Sequence, residues 1–212
     1  MKNLLIIGAR GFGREVYSLA TECKEYGREF VVKGFLDDKF DALNNYKEYP
    51  PIVGSVESYL IEEDDIFICA LGNVDAKKKY VQIVLDKGGT FISLIHPTAY
   101  ISKNTHIGQG CVICRNVMIS CDVEIGNFVS LLPFSGIGHD GVVEDWCHID
   151  SHVSCAGFVH LHSMVAVHTG AIIHPKKEVE DNAVVGAGSV VIRNVKKNTT
   201  VFGIPAMRLD IH

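Results

Sequence analysis

From residue 95 to residue 191 an apolar side chain returns at every sixth position. Ile95, Ile101, Ile107, Ile113, Ile119, Ile125, Leu131, Ile137, Val143, Ile149, Cys155, Leu161, Val167, Ile173, Val179, Val185 and Val191 make seventeen such positions in succession, sixteen of them aliphatic. With about a third of residues aliphatic, chance gives sixteen hits with a probability on the order of 10⁻⁸. A second register, four residues after each of these and so two before the next, runs from Ala99 to Val195, and every member but Lys177 is small or β-branched. A strict period of six excludes a helix, which repeats at 3.6. In a strand, residues two apart share a face, so both registers point inward. One outward residue separates them, as His106 separates Thr105 from Ile107. Each unit of six is then a short strand and a turn, and the units stack as a parallel β-helix.

The first 93 residues have another rhythm. Leu4 to Gly8 reads as a short buried strand. Val16, Leu19, Ala20 and Cys23 repeat at i, i+3, i+4, i+7, an amphipathic helix. Val31 to Asp38 and Ile66 to Gly72 read as further strands. Ala76, Tyr80, Ile83 and Val84 mark a second helix, closed by Gly88-Gly89, and Phe91 to Pro97 a last strand. Strands alternating with helices predict a small parallel sheet, an α/β domain over residues 1–93 ahead of an all-β domain over 94–212.

Composition narrows the function classes. A net charge of −5 argues against nucleic acid and anionic membrane as partners. The apolar run near the start, Leu4 to Ile7, is too short for a signal peptide, and no segment approaches the ~20 apolar residues of a membrane span. Seven cysteines, an odd number, point to reduced thiols and the cytoplasm. Cys111 and Cys114 form one C-x-x-C, which alone is weak evidence for zinc or redox chemistry.

In the first domain, Gly8, Gly11 and Gly13 follow a strand and open a helix. That is G-x-x-G-x-G rather than the dinucleotide fingerprint. Backbone amides at a helix N-terminus suit an anion or the phosphates of a sugar nucleotide. Asp37-Asp38 and Gly72-Asn73 end the next two strands, so three strand ends meet at the edge where parallel sheets bind ligands. In the second domain, Gly138-His139-Asp140-Gly141 falls at or near a corner of the coil, where a histidine is not core filling.

The unbroken six-residue register resembles the hexapeptide-repeat superfamily. The whole chain resembles its bacterial sugar acyltransferases, which N-acetylate UDP-4-amino-sugars or O-acetylate sialic acid and related surface sugars. The resemblance implies a Rossmann-like sugar-nucleotide-binding first domain and a left-handed β-helix assembled as a homotrimer, with active sites in clefts between neighbouring prisms. It implies acetyl-CoA as co-substrate and no metal. The tail from Asn182 to Leu209 looks like the acyl-CoA end of such enzymes, with glycines at 186 and 188 that let a cofactor approach and Gly203 to Ala206 turning the chain off the coil.

By the same resemblance His139 is the general base and Asp140 its carboxylate. His148, Gly157, Thr169 and Ala187 contact the acyl donor. Arg10, Gly11, Phe12, Asp37, Asp38 and Gly72 hold the sugar nucleotide. Adjacent strand residues face opposite ways, so Asp140 supports the ring only if a corner bends the chain; Glu144 or an acid of a neighbouring chain is the alternative. A backbone N–H, that of Gly157 among them, is a candidate for stabilising the oxyanion. The related enzymes often carry an asparagine seven residues before the histidine, where this chain has Leu132, which leaves amine against hydroxyl acceptor open. Two other classes compete. One is a carbonic-anhydrase-like metalloprotein, for which His139, His148, His152, His160, His162, His168 and His174 supply donors although no two lie eighteen apart. The other is a non-catalytic trimeric scaffold.

Overall fold

The computed structural model describes residues 1–209. The chain divides into two compact units, one ending at Pro97 and the other beginning at Thr98.

In the first unit β1 (Lys2–Ile7), β2 (Phe30–Leu36), β3 (Ile52–Gly54), β4 (Asp65–Cys69) and β5 (Thr90–Phe91) form one sheet in the order β3-β2-β1-β4-β5, with every pairing parallel. β1 is central, and Leu4 to Ile7 are buried on both faces, the reason this strand is an unbroken apolar run. α1 (Gly11–Glu22) follows β1 and buries Val16, Leu19 and Ala20 of the predicted stripe, with Gly13 beside them and Cys23, its fourth member, buried at the C-cap. α2 (Val74–Asp86) follows β4 and starts at Asn73, whose side chain accepts from the Ala76 N–H. The pattern had put Ala76 and Tyr80 on its core face. The residues that sink fully are Lys77, Val81 and Val84, and Ala76 and Tyr80 line a cavity instead. β3 has no counterpart in the sequence reading. The expected strand from Phe91 to Pro97 is broken: Thr90–Phe91 closes this sheet, and Leu94–Ile95 is a separate strand.

The second unit is a solenoid of two-residue strands in three parallel faces. The first face holds Tyr100–Ile101, Met118–Ile119, Gly136–Ile137, Ser154–Cys155, Ile172–Ile173 and Val190–Val191. The second runs from His106–Ile107 to Glu178–Val179, and the third contains Ser130–Leu131, His148–Ile149, Ala166–Val167 and Val184–Val185. Partners are eighteen residues apart, as in Ile119↔Ile137 and Ile137↔Cys155. One coil is therefore three units of six, and like residues stack on like. From Ile113 to Val191 every member of the first register is buried, and Cys155 takes an aliphatic place between Ile137 and Ile173. Ile101 and Ile107 are half-buried and Ile95 is exposed, so the register outruns the core at its start. Each buried aliphatic contributes about 1.5–3 kcal/mol.

Each corner places one residue in the left-handed region. Asparagine, aspartate or glycine there is expected, and Asn116, Asp122, Asp140 and Asn182 conform. Phe128, Phe134, Trp146, Phe158 and Met164 do not, with φ between 56° and 70°. The corner dictates the angle, and stacking offsets part of the strain: Phe128 lies on Trp146 at 4.4 Å and Phe134 on His152 at 5.1 Å. Past the last coil, Thr200–Phe202 pairs antiparallel with Met207–Arg208 around Gly203, so the tail doubles back as a hairpin.

Candidate active site

In the first unit the register of β1 assembles the site. Ile7 pairs with Leu36 on one side and Cys69 on the other, which brings the segments after β1, β2 and β4 together. Between them lies a cavity of about 340 Å³ lined by Gly8, Arg10, Phe12, Leu36, Asp37, Asp38, Leu71, Gly72 and Tyr80, among others. Of the six residues expected to hold a sugar nucleotide, five line this cavity; Gly11, the first residue of α1, falls between the lining residues Arg10 and Phe12.

The three glycines do different work. Gly8 has φ 97°, and a Cβ there would lie 2.8 Å from the Leu71 side chain. A Cβ on Gly13 would collide with the Gly8 carbonyl oxygen. Gly11 has nothing within 4 Å of that position, so no protein contact demands a glycine there. The N-cap of α1 is Arg10, whose side chain makes no capping hydrogen bond.

The two aspartates also differ. Asp37 accepts from the Ala9 N–H through Oδ2 at 2.8 Å and from the Lys39 N–H through Oδ1 at 2.9 Å, which ties the glycine loop to the end of β2. Asp38 accepts from the Tyr80 hydroxyl at 2.7 Å. That hydrogen bond, with burial added, pushes the Tyr80 pKa up to about 12 and keeps it a donor. Tyr80 was missed as a site residue; its place in a helical stripe read as core.

In the second unit Asp140 takes the left-handed conformation, φ 55°, and this turns its carboxylate back onto the preceding side chain. Asp140 Oδ2 lies 2.7 Å from His139 Nδ1, and both side chains are about half exposed. The neutral ring thus carries its proton on Nδ1 and presents a lone pair at Nε2. Gly157, one coil on, lies under the ring: a Cβ there would sit 2.5 Å from Nε2. The Phe158 ring meets the imidazole edge-on at 5.2 Å, and the Phe158 N–H donates to the His139 carbonyl. Glu144, the other acid weighed for His139, is engaged with His160 and His162 instead.

His148 sits on the third face and is 6% exposed. Its Nε2 is 3.2 Å from Asp150 Oδ1, and the other oxygen of Asp150 is 3.0 Å from His168 Nδ1. Burial works to raise the Asp150 pKa; the hydrogen bonds and charge of the two histidines outweigh it and hold the carboxyl below its ordinary range. Thr169 and Ala187 are eighteen residues apart and exposed, and stack at the corner between the third and first faces. His139 and Gly157 occupy the corner between the first and second faces. Within one chain the expected base and these two donor contacts thus lie on different edges of the solenoid.

The cysteines offer no nucleophile here. Six of the seven are buried, and none is in a disulfide among the described residues. Burial pushes the Cys155 thiol up to about 12. No helix among the described residues is long and apolar enough to cross a membrane.

Residues 3–84 match the PglD N-terminal domain family. GDP-perosamine N-acetyltransferase of Escherichia coli is 26% identical over 202 residues, 93% of this chain and 81% of that protein. UDP-N-acetylbacillosamine N-acetyltransferase of Bacillus subtilis is 34% identical over 116 residues, 53% of this chain and 51% of that one. The solved acetyltransferase domain of PglB from Neisseria gonorrhoeae, in complex with acetyl coenzyme A, superposes with a TM-score of 0.88 at 26% identity, covering 98% of this chain and 99% of that one.

Proposed function

We propose that this chain, which belongs to the hexapeptide-repeat sugar acetyltransferases, moves the acetyl group of acetyl-CoA directly onto the amine of a nucleotide-linked 4-amino sugar, of the UDP type. The observation that carries the reading is the His139–Asp140 pair above Gly157, in which Asp140 engages Nδ1 and leaves Nε2 as the ring nitrogen on the Gly157 side. Nε2 takes a proton from the amine as nitrogen attacks the thioester carbonyl, and Asp140 steadies the imidazolium. The N–H of Gly157 donates to no backbone carbonyl among the described residues, which supports it as the donor to the oxyanion. As the C–S bond breaks, the proton passes to the departing sulfur.

The first unit is the Rossmann-like acceptor domain. The open N-terminus of α1 supports a diphosphate site, and Asp38, aimed by Tyr80, offers a carboxylate to a base N–H. The separation of His139 from Thr169 and Ala187 supports a homotrimer, in which a neighbouring copy brings the acyl donor to the base. Reduced, buried thiols fit a cytoplasmic enzyme of surface-glycan synthesis.

The test is thiol release from acetyl-CoA against UDP- and GDP-linked 4-amino sugars and free sialic acid. Turnover is expected with an amino-sugar nucleotide, UDP-linked ahead of GDP-linked. Release with sialic acid alone would move the reading to O-acetylation, and release with none would remove it.

A further inference from the structure

On the second face of the solenoid, away from the His139 corner, Glu144, His160 and His162 each offer one ligand atom, and these atoms lie within 4.8 Å of one another. Three features set the group apart from a surface ion pair. Glu144 Oε1 faces both rings, 2.7 Å from His160 Nε2 and 3.3 Å from His162 Nδ1, while Ser163 holds Oε2 with a 2.9 Å hydrogen bond. The two imidazoles lie nearly parallel, 14° apart with centroids at 3.9 Å, an arrangement that two cationic rings would resist. If His162 donates from Nδ1, its buried Nε2 keeps a lone pair with no hydrogen-bond partner, and Glu178 Oε2, 3.8 Å away, is an acceptor rather than a donor.

A cation bound by the three accounts for the shared carboxylate oxygen and for the buried Nε2, once one ring turns out of the stack so that both lone pairs converge on the ion. We propose that Glu144, His160 and His162 form a binding site for one borderline divalent ion such as zinc. His160 binds through Nε2, His162 through Nδ1 and Glu144 through Oε1, with water in the fourth place. The His162 proton then sits on Nε2 and points at Glu178, the outer carboxylate that commonly orients a ligating histidine. Tetrahedral bonds of about 2.0–2.1 Å separate ligand atoms by about 3.4 Å, so the 3.3 Å pair already fits and the 2.7 Å pair must open slightly. The backbone fixes the group beforehand. Val142 pairs with His160, and the Glu144 and His162 N–H groups donate to Leu161 and Val179. Glu144 and Ser163 also border a cleft of about 500 Å³ through which an ion and its water can enter. Such an ion would clip two successive coils together, independently of acetyl transfer.

The experiment is a Co²⁺ titration of chelator-treated full-length protein. One equivalent per chain with the intense visible bands of tetrahedral Co²⁺, displaced by Zn²⁺, is expected. Glu144→Gln and His162→Gln should weaken binding at least tenfold, and His174→Gln should leave it unchanged. Ser163→Ala, which keeps all three ligands, should weaken it about 10–100-fold with far-UV circular dichroism intact. Zinc should raise the melting temperature of the wild type and not of His160→Gln. Absence of a stoichiometric tetrahedral spectrum, or equal affinity in the Glu144 and His162 variants, would overturn the site.

Discussion

The α-carbon of Gly157 sits directly beneath the imidazole of His139, and a methyl group there would lie 2.5 Å from Nε2. The smallest residue on one coil thus sets the position of the proposed base on the coil before it. Gly157→Ala should tilt the ring away from Asp140 and lower kcat about 10²-fold, the scale of an ångström's misplacement of a reacting group. The fold should survive, since the atoms that a new Cβ meets belong to the half-exposed His139 side chain, which can move aside. A kcat within threefold of wild type would show that the ring position is not critical.

His139→Asn removes the titrating group at similar size. We expect kcat to fall roughly 10²–10⁴-fold. Wild-type kcat/KM should fall towards acid pH as the base takes up a proton, and that limb should disappear in the variant. Asp140→Asn should retain more activity, because the base remains. An intact pH profile with more than a tenth of the turnover would assign the proton transfer elsewhere.

Asp37 and Asp38 should separate on substitution. Asp38→Ala and Tyr80→Phe should weaken sugar-nucleotide binding in calorimetry and leave acetyl-CoA binding nearly unchanged. Asp37→Ala should also lower thermal stability by about 1–3 kcal/mol, because it strands the Ala9 and Lys39 N–H groups. Equal melting temperatures for Asp37→Ala and Asp38→Ala would refute that division.

Asp150 governs part of the acid limb of stability. Its folded pKa lies below the unfolded value of about 3.9, so its contribution is full above that value and is lost as pH falls through the folded one. Asp150→Asn should lower stability at pH 7 by about 1–3 kcal/mol and flatten the loss below about pH 4. Parallel stability–pH curves for the two proteins would contradict this.

By itself the sequence determined the solenoid and the parallel sheet. Burial imposes a period, and a period of six over seventeen positions admits few other shapes. It also put the glycine loop, Asp38 and Gly72 at one sheet edge, because parallel strands end on the same side. It did not divide labour between Asp37 and Asp38, which needed the hydrogen bonds of Ala9 and Tyr80. Nor did it settle which acid serves His139. Asp140 reaches the ring only because the corner adopts φ 55°, an angle the coil closure imposes. The clusters of Asp150 with His168 and of Glu144 with His162 lie eighteen residues apart, one coil in space. A search for histidine over histidine passes them by, because the stacking partner is a carboxylate. Which atoms meet across a coil is decided by corner dihedrals and side-chain direction, and only the tertiary structure contains those.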